Sequence, residues 1–187
     1  VLEYGGERIV VSGDYKRAPD PTCPPFEAVP CDVFITEATF AMPVFTHPDP
    51  LGEARKLLDS LADFPDKAHV VGVYALGKCQ RLMCLLRQLG YDKPIYLHGA
   101  HVGLTEMYAH RGVPVGEFRK VAESEKPAKK AYTGEIILCP PSELHGRWSR
   151  RFGEHVTALA SGWMRIRARA RQKGIDLPLV ISDHADW

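Results

Sequence analysis

Short runs of apolar residues recur along the chain, and most are followed by a segment whose apolar positions have helical spacing. In the segment at 78–90, four leucines share one helical face and Gly90 supplies a helix stop. The same criteria predict strands at 7–12, 31–38, 68–75, 93–99, 134–141, 155–161 and 177–184, and helices at 51–64, 78–90, 101–111 and 142–152. This alternation predicts an α/β fold with a mostly parallel sheet.

The first forty residues differ in pattern from the rest. The stretch "VLEYGGERIVVSGD" alternates around Gly5-Gly6, which predicts a β hairpin. The strands at 7–12 and 31–38 are apolar enough to predict burial, and the prolines of 18–31 predict a loop between them. A second exposed loop is predicted at 119–133, where glutamates and lysines alternate. Because Val1 is not an initiator methionine and the chain stops just after an acidic cluster, we expect an internal piece of a longer protein.

Composition narrows the class of protein. The 187 residues are 45% apolar and 25% charged, with a net charge of +1, which is typical of one globular domain, with or without an insert. No apolar stretch approaches the roughly 20 residues of a membrane span, and no secretion signal is visible. The five cysteines form no C-x-x-C pair. We therefore expect a reduced, cytoplasmic protein without a structural zinc knuckle.

Polar residues that could take part in catalysis or metal binding follow several of the predicted strands. They are Asp14, Glu37, His98, Ser161 and His184. In parallel α/β sheets, ligands bind at the carboxyl ends of the strands. The sequence therefore predicts a functional cleft at that edge of the sheet.

Each of these residues also has a plainer interpretation. Asp14 in "SGDYKR" could cap backbone amides in a turn or could bridge metal ions. His98 could line the cleft or be a satisfied core histidine. A lone His184 would usually be structural, but a carboxylate such as Glu37 behind an apolar run needs a partner. A Glu37–His184 pair would favour the protonated imidazole, which can donate a proton.

The run "GWMRIRARARQK" carries a separate signal. Its arginines at 165, 167, 169 and 171 alternate with apolar residues, which predicts a strand with all four on one face. Eight basic residues and one acidic residue lie between Arg147 and Lys173. Such a ladder suits a phosphate backbone, and a charge-protected edge strand is the alternative.

Several catalytic motifs are absent from the sequence. The "ALGK" turn has the placement of a phosphate loop but neither glycine fingerprint, so it gives little support to nucleotide binding. There is no G-x-S-x-G elbow, and no cysteine has an obvious base partner. A Rossmann-type enzyme for small molecules is therefore not favoured.

Taken in order, the motifs "SGDYKRAPD", "CDVFITEATF", "YALGKCQRLMCLLRQLGYDKPIYLHGA", "ASGWM" and "ISDHADW" resemble those of metallo-β-lactamase-fold nucleases of the β-CASP group. Within that group the chain is most similar to the ligase-associated DNA exonuclease family. The likeness covers nearly the whole chain.

The resemblance implies a role for each site residue. Asp14 matches the aspartate that bridges two metal ions. Glu37 matches the acidic residue of motif A, and His184 matches motif B, the general acid near the scissile phosphate. Ser161 and Gly162 match a turn that lines the nucleic-acid cleft.

The resemblance also implies an architecture. Residues 1–40 would be part of a metallo-β-lactamase αββα sandwich. Residues 41–178 would be an inserted, Rossmann-like β-CASP cap, and residues 179–187 would be the strand that returns to the catalytic domain.

The implied activity is a metal-dependent DNA exonuclease that acts in DNA repair or ligation. Two divalent cations, zinc or manganese, would be its cofactors. Single-stranded DNA would be the substrate, held by Arg165, Arg167, Arg169 and His98, and a DNA ligase or helicase a partner. An RNA-processing relative and an inactive nucleic-acid-binding module are the alternatives.

The sequence departs from the family pattern in its metal ligands. The H-x-H-x-D-H signature and the ligand histidine that follows motif B are both absent from the 187 residues. The remaining histidines have no ligand spacing; they are His47, His69, His101, His110, His145 and His155. We expect the missing ligands in other parts of the protein.

Overall fold

The computed structural model describes residues 1–122 and 131–187. These residues form two β sheets, one of three strands and one of six. Within the described residues, no helix has both the length and the apolar character needed to cross a membrane.

The smaller sheet contains strands β1 (Leu2–Tyr4), β2 (Glu7–Val11) and β3 (Val33–Ile35) in that order. β1 and β2 are antiparallel and are joined at Gly5-Gly6, where both residues have positive φ. The predicted hairpin is therefore confirmed. β2 and β3 are parallel, so their carboxyl ends lie side by side.

The expected burial of this sheet is wrong. Phe34 and Ile35 are 45% and 54% exposed, although consecutive residues of a strand point to opposite faces. The described residues leave both faces of β3 open to solvent. An apolar run shows that a strand is able to pack, but it does not show that other residues cover it.

The larger sheet has the strand order β6-β5-β7-β4-β8-β9, and neighbouring strands in this order pair in parallel. Its strands are β4 (Ala68–Gly72), β5 (Ile95–Leu97), β6 (Phe118–Lys120), β7 (Ile136–Cys139), β8 (His155–Ala160) and β9 (Leu177–Leu179). The prediction of an α/β fold with a mostly parallel sheet is confirmed. β6 occupies the start of the loop predicted at 119–133, while residues 123–130 of that loop lie outside the described residues.

Helices cover both faces of the larger sheet. They are α1 (Pro50–Asp63), α2 (Lys78–Gln88), α3 (Gly99–His110) and α4 (Arg167–Gln172). One core cluster packs α1 and α2 against the sheet through residues such as Leu57 and Leu82, which are both fully buried. The other includes Phe152 and Ala170. Parallel sheets need such cover on both sides.

The helix predicted at 142–152 is wrong. In its place are two 3₁₀ helices, Pro141–Glu143 and Ser149–Phe152. Gly146, in the middle of the segment, has low helix propensity, so a continuous α-helix is unfavourable there.

The prediction that the arginine run forms a strand is also wrong. A 3₁₀ helix, Gly162–Arg165, runs into α4, so the arginines are distributed around a helix. Arginine and alanine both favour helices, and Ser161 caps the first turn by accepting a hydrogen bond from the Trp163 backbone. Ala170 is buried at 4% exposure, which packs α4 onto the sheet. Helix propensity and this packing outweigh the period-two pattern.

Candidate carboxylate–histidine site

The topology of the two sheets brings three chain segments together. Val11 pairs with Ile35 near the ends of β2 and β3. Asp14 and Glu37 follow these residues, so they leave the smaller sheet at the same edge. His184 arrives from the other sheet, five residues after β9.

The three side chains form a compact group. One ligand atom from each of Asp14, Glu37 and His184 lies within 4.8 Å of the other two. His184 Nδ1 is 3.1 Å from Glu37 Oε2 and 3.8 Å from Asp14 Oδ1. The structure therefore brings together the three residues that the sequence singled out.

Glu37 is fixed by several hydrogen bonds. Its Oε2 accepts from the backbone of Thr39 at 3.2 Å, and its Oε1 accepts from the backbone of Ala185 at 3.3 Å. Burial acts to raise the pKa of Glu37, but the hydrogen bonds from Thr39 and His184 outweigh it, so the pKa lies below its ordinary value. The carboxylate is therefore ionised at neutral pH.

An ionised Glu37 determines the hydrogen placement on His184. A carboxylate only accepts hydrogen bonds, so Nδ1 of the imidazole must donate. Nε2 is then the ring atom that could exchange a proton with a substrate. The backbone N–H of His184 also donates to Ser182 Oγ at 3.1 Å, which fixes the turn that carries the ring.

Asp14 differs from Glu37 in exposure. The side chain of Asp14 is 75% exposed, whereas that of Glu37 is 9% exposed. The two segments are linked by Ser12, whose Oγ accepts from the Glu37 backbone at 3.2 Å. An exposed carboxylate beside a buried one leaves the Asp14 side of the group open to a ligand.

Aromatic packing supports the imidazole from behind. The Phe40 ring is 3% exposed, and its centroid lies 5.6 Å from that of His184. A Cβ at Gly162 would lie only 2.5 Å from Phe40 Cζ and 3.1 Å from Ser182 Cβ. Gly162 is therefore required for close packing behind the site. Ser161 is buried and caps the turn, and contact of either residue with nucleic acid stays a prediction.

Two of the predicted arginines lie beside this aromatic cluster. Arg165 Nε donates to the Val44 carbonyl at 3.2 Å, and the Arg169 guanidinium lies 4.0 Å from the Trp163 ring centroid. Trp163 in turn packs edge-on to Phe40. Arg167 is exposed at the first position of α4.

His98 is not part of this group. Three strands, β7, β4 and β8, separate β5 from β9 in the larger sheet. The Nδ1 atom of His98 accepts from the Ala100 backbone at 3.0 Å, and its ring packs against Trp148. Burial lowers the pKa of His98. It is a partly buried helix cap and not a core residue, and its contact with nucleic acid stays a prediction.

A charged cluster beside the site was missed. Lys78 and Arg81, at the start of α2, are 5% and 3% exposed and face Asp183, the neighbour of His184. The signal in the sequence is a pair of cations three residues apart, directly before the apolar run of residues 82–86. Long cations in the buried face of a helix need nearby anions.

The other histidines serve the core where they are buried. His101 lies between the carbonyls of Leu138 and Val73, and His69 contacts Ser60 Oγ at 3.0 Å. Burial lowers the pKa of both rings. Within the described residues, the group of Asp14, Glu37 and His184 is the arrangement that could hold a metal ion.

No family model matches the chain. The chain is 26% identical over 194 aligned positions to a protein of Opitutus terrae named "Probable DNA ligase". The alignment includes 100% of this chain but 18% of that protein, so the chain spans about a fifth of the length of this curated relative. The similarity by itself establishes neither a family nor an activity.

Proposed function

We propose that this chain is part of a metal-dependent nuclease of the β-CASP group that cleaves DNA. The observation that carries the proposal is the contact between Glu37 and His184, 147 positions apart, with Asp14 beside them. The order of the motifs supports the same group. The choice of DNA rests on the family likeness and on the relative named as a probable DNA ligase.

The donor set fits divalent cations. Carboxylate oxygens such as those of Asp14 are ligands that zinc and manganese accept. When bound, such cations supply an activated hydroxide and stabilise charge on the phosphate oxygens. The open carboxylate of Asp14 would hold them, and the remaining ligands would come from parts of the protein outside this chain.

The Glu37–His184 pair would act as the general acid. Glu37 keeps the ring in one orientation by accepting a hydrogen bond from Nδ1. His184 Nε2 would then donate a proton to the oxygen that leaves phosphorus. A positioned acid of this kind contributes about 10²- to 10⁴-fold to the rate.

The basic and aromatic residues beside the site would bind single-stranded DNA. Arg165 and Arg169 carry the charge that a phosphate backbone requires, and Trp163 is the adjacent aromatic residue. Cationic grooves with aromatic rings are typical of single-strand binding. The arginine ladder is thus replaced by a helical cluster at the same sequence positions.

Cleavage of end-labelled DNA and RNA by the full-length protein tests this function. Zinc, manganese and magnesium are added in turn, and a chelator is added in a parallel reaction. We expect metal-dependent cleavage of single-stranded DNA and none with the chelator. Binding without cleavage under all metals would favour an inactive nucleic-acid-binding module, and cleavage of RNA alone would contradict the choice of DNA.

A further inference from the structure

Arg81 connects two chain segments from within the core. It lies on the buried side of α2 and is 3% exposed. Its Nε is 3.4 Å from Asp20 Oδ2, and its Nη1 is 3.6 Å from Asp183 Oδ1. Nη1 also donates a hydrogen bond to the backbone carbonyl of Ser182.

These partners belong to the segments that carry the candidate site. Asp20 follows Asp14 in the loop after β2. Ser182 and Asp183 directly precede His184. One guanidinium therefore holds both the segment of the open carboxylate and the segment of the imidazole.

The partners of Arg81 are themselves held as charged groups. Burial acts to raise the pKa of Asp20, but hydrogen bonds from Lys16 and Thr22 outweigh it, so the pKa is lowered. Lys78 Nζ lies 3.3 Å from Asp183 Oδ2. The cluster thus alternates cations and anions. Apart from Asp183, whose side chain is 34% exposed, these side chains are nearly buried, so their contacts are screened less than those of surface pairs.

We infer that Arg81 is a positioning residue that sets the place of His184 relative to Asp14. The inference rests on the proposed function, because the placement matters for proton donation to a leaving group. A planar guanidinium binds several acceptors in a fixed geometry, which an ammonium cannot do. Displacement of a reacting group by about 1 Å is enough to slow a reaction by about 10²-fold.

A second arginine of the same helix provides a matched control. Arg87 is also held by backbone carbonyls, those of Val115 at 3.0 Å, Lys93 at 2.7 Å and Glu117 at 2.6 Å. These acceptors lie in loops around β5 and β6, away from His184. Arg87→Met therefore removes a structural arginine without touching either site segment.

Two substrates distinguish a displaced His184 from a general loss of activity in the variant. Single-stranded DNA needs protonation of its leaving oxygen, whereas the 4-nitrophenyl ester of thymidine 5′-phosphate releases a stable nitrophenolate without it. In the full-length protein, Arg81→Met is expected to slow DNA cleavage about 10- to 100-fold but the ester less than about threefold. Arg81→Lys should show the same split more weakly, and it replaces the Met variant if that variant does not fold. Arg87→Met should leave the ratio of the two rates unchanged.

A measurement that needs no activity completes the test. Exchange of the histidine C2 hydrogen, followed residue by residue by mass spectrometry, reports the surroundings of each ring. We expect the His184 rate to change in Arg81→Met and Arg81→Lys but not in Arg87→Met, with exposed His110 and His145 as internal references. A wild-type protein that cleaves neither substrate would refute the nuclease proposal, while the exchange result would still decide the placement of His184. An unchanged His184 rate, or equal loss on both substrates, would overturn the inference.

Discussion

The chemistry of the site at the residue scale depends on a single contact, that of Glu37 Oε2 with His184 Nδ1. The carboxylate is nearly buried and hydrogen-bonded, so its charge is held in one place. The ring is packed against Phe40, so its orientation is restricted. Together these contacts leave the second ring nitrogen available for the proposed proton transfer.

Glu37→Gln tests the charge of this carboxylate through stability. Because hydrogen bonds outweigh burial, the folded-state pKa of Glu37 lies below its ordinary value of 4.5. The ionised group therefore stabilises the fold above pH 4.5, and this contribution is lost as the pH falls through the lower folded-state pKa. The wild type should exceed the variant in unfolding free energy near neutral pH, and the difference should shrink in acid. Urea unfolding at a series of pH values measures it, and a difference that is independent of pH would contradict the prediction.

Gly162→Ala tests the packing behind the imidazole. The added Cβ would lie 2.5 Å and 2.7 Å from two atoms of the buried Phe40 ring. We expect a loss of about 1–3 kcal/mol in the free energy of unfolding, as is usual for overpacking. Gly103→Ala on α3 is the control, because its Cβ would meet nothing within 4 Å and should stabilise the helix by about 0.5–1 kcal/mol. Equal unfolding midpoints for the two variants would contradict the close packing.

At the scale of elements, most strands and helices were predictable because their apolar periodicity agrees with their packing. β4 and α2 are examples, since both lie in the core. The arginine run was mispredicted because alternation of arginine with alanine satisfies both a strand and a helix. The segment at 142–152 does not form the predicted α-helix because Gly146 interrupts it.

The helical form of the arginine run leads to a binding prediction. Replacing Arg165 and Arg169 with alanine should weaken binding of single-stranded DNA and reduce its salt dependence. On a plot of log K against log salt, the slope should fall by about 0.7 for each phosphate that the variant no longer neutralises. Exposed Arg55 and Arg111, on α1 and after α3, provide a matched double control. A salt slope that is unchanged relative to this control would show that the arginines are solvated surface residues that contact no phosphate.

At the scale of the molecule, the site lies where the smaller sheet meets the segment that leaves the larger one. Glu37 and His184 are 147 positions apart, and no local pattern could place them together. The ordered motifs of a resembling family did so, and the geometry agrees with that expectation. The Lys78–Arg81 cluster was not foreseen because its partners come from two distant loops.

The exposed strands of the smaller sheet are a second feature at the scale of the whole molecule. Val33, Phe34 and Ile35 are each about half exposed, at 48%, 45% and 54%. Apolar strands with both faces open are unusual in a finished domain. Under the proposed function, these strands would pack against other parts of a catalytic domain.

The rate of single-stranded DNA cleavage by His184→Ala, relative to the wild type, tests the proposed chemistry most directly. Both full-length proteins are assayed at equal metal content, with His110→Ala on the exposed end of α3 as the control. We predict a loss of about 10²- to 10⁴-fold for His184→Ala and less than about twofold for the control. A His184→Ala protein that cleaves DNA at the wild-type rate would contradict the general-acid role of the Glu37–His184 pair.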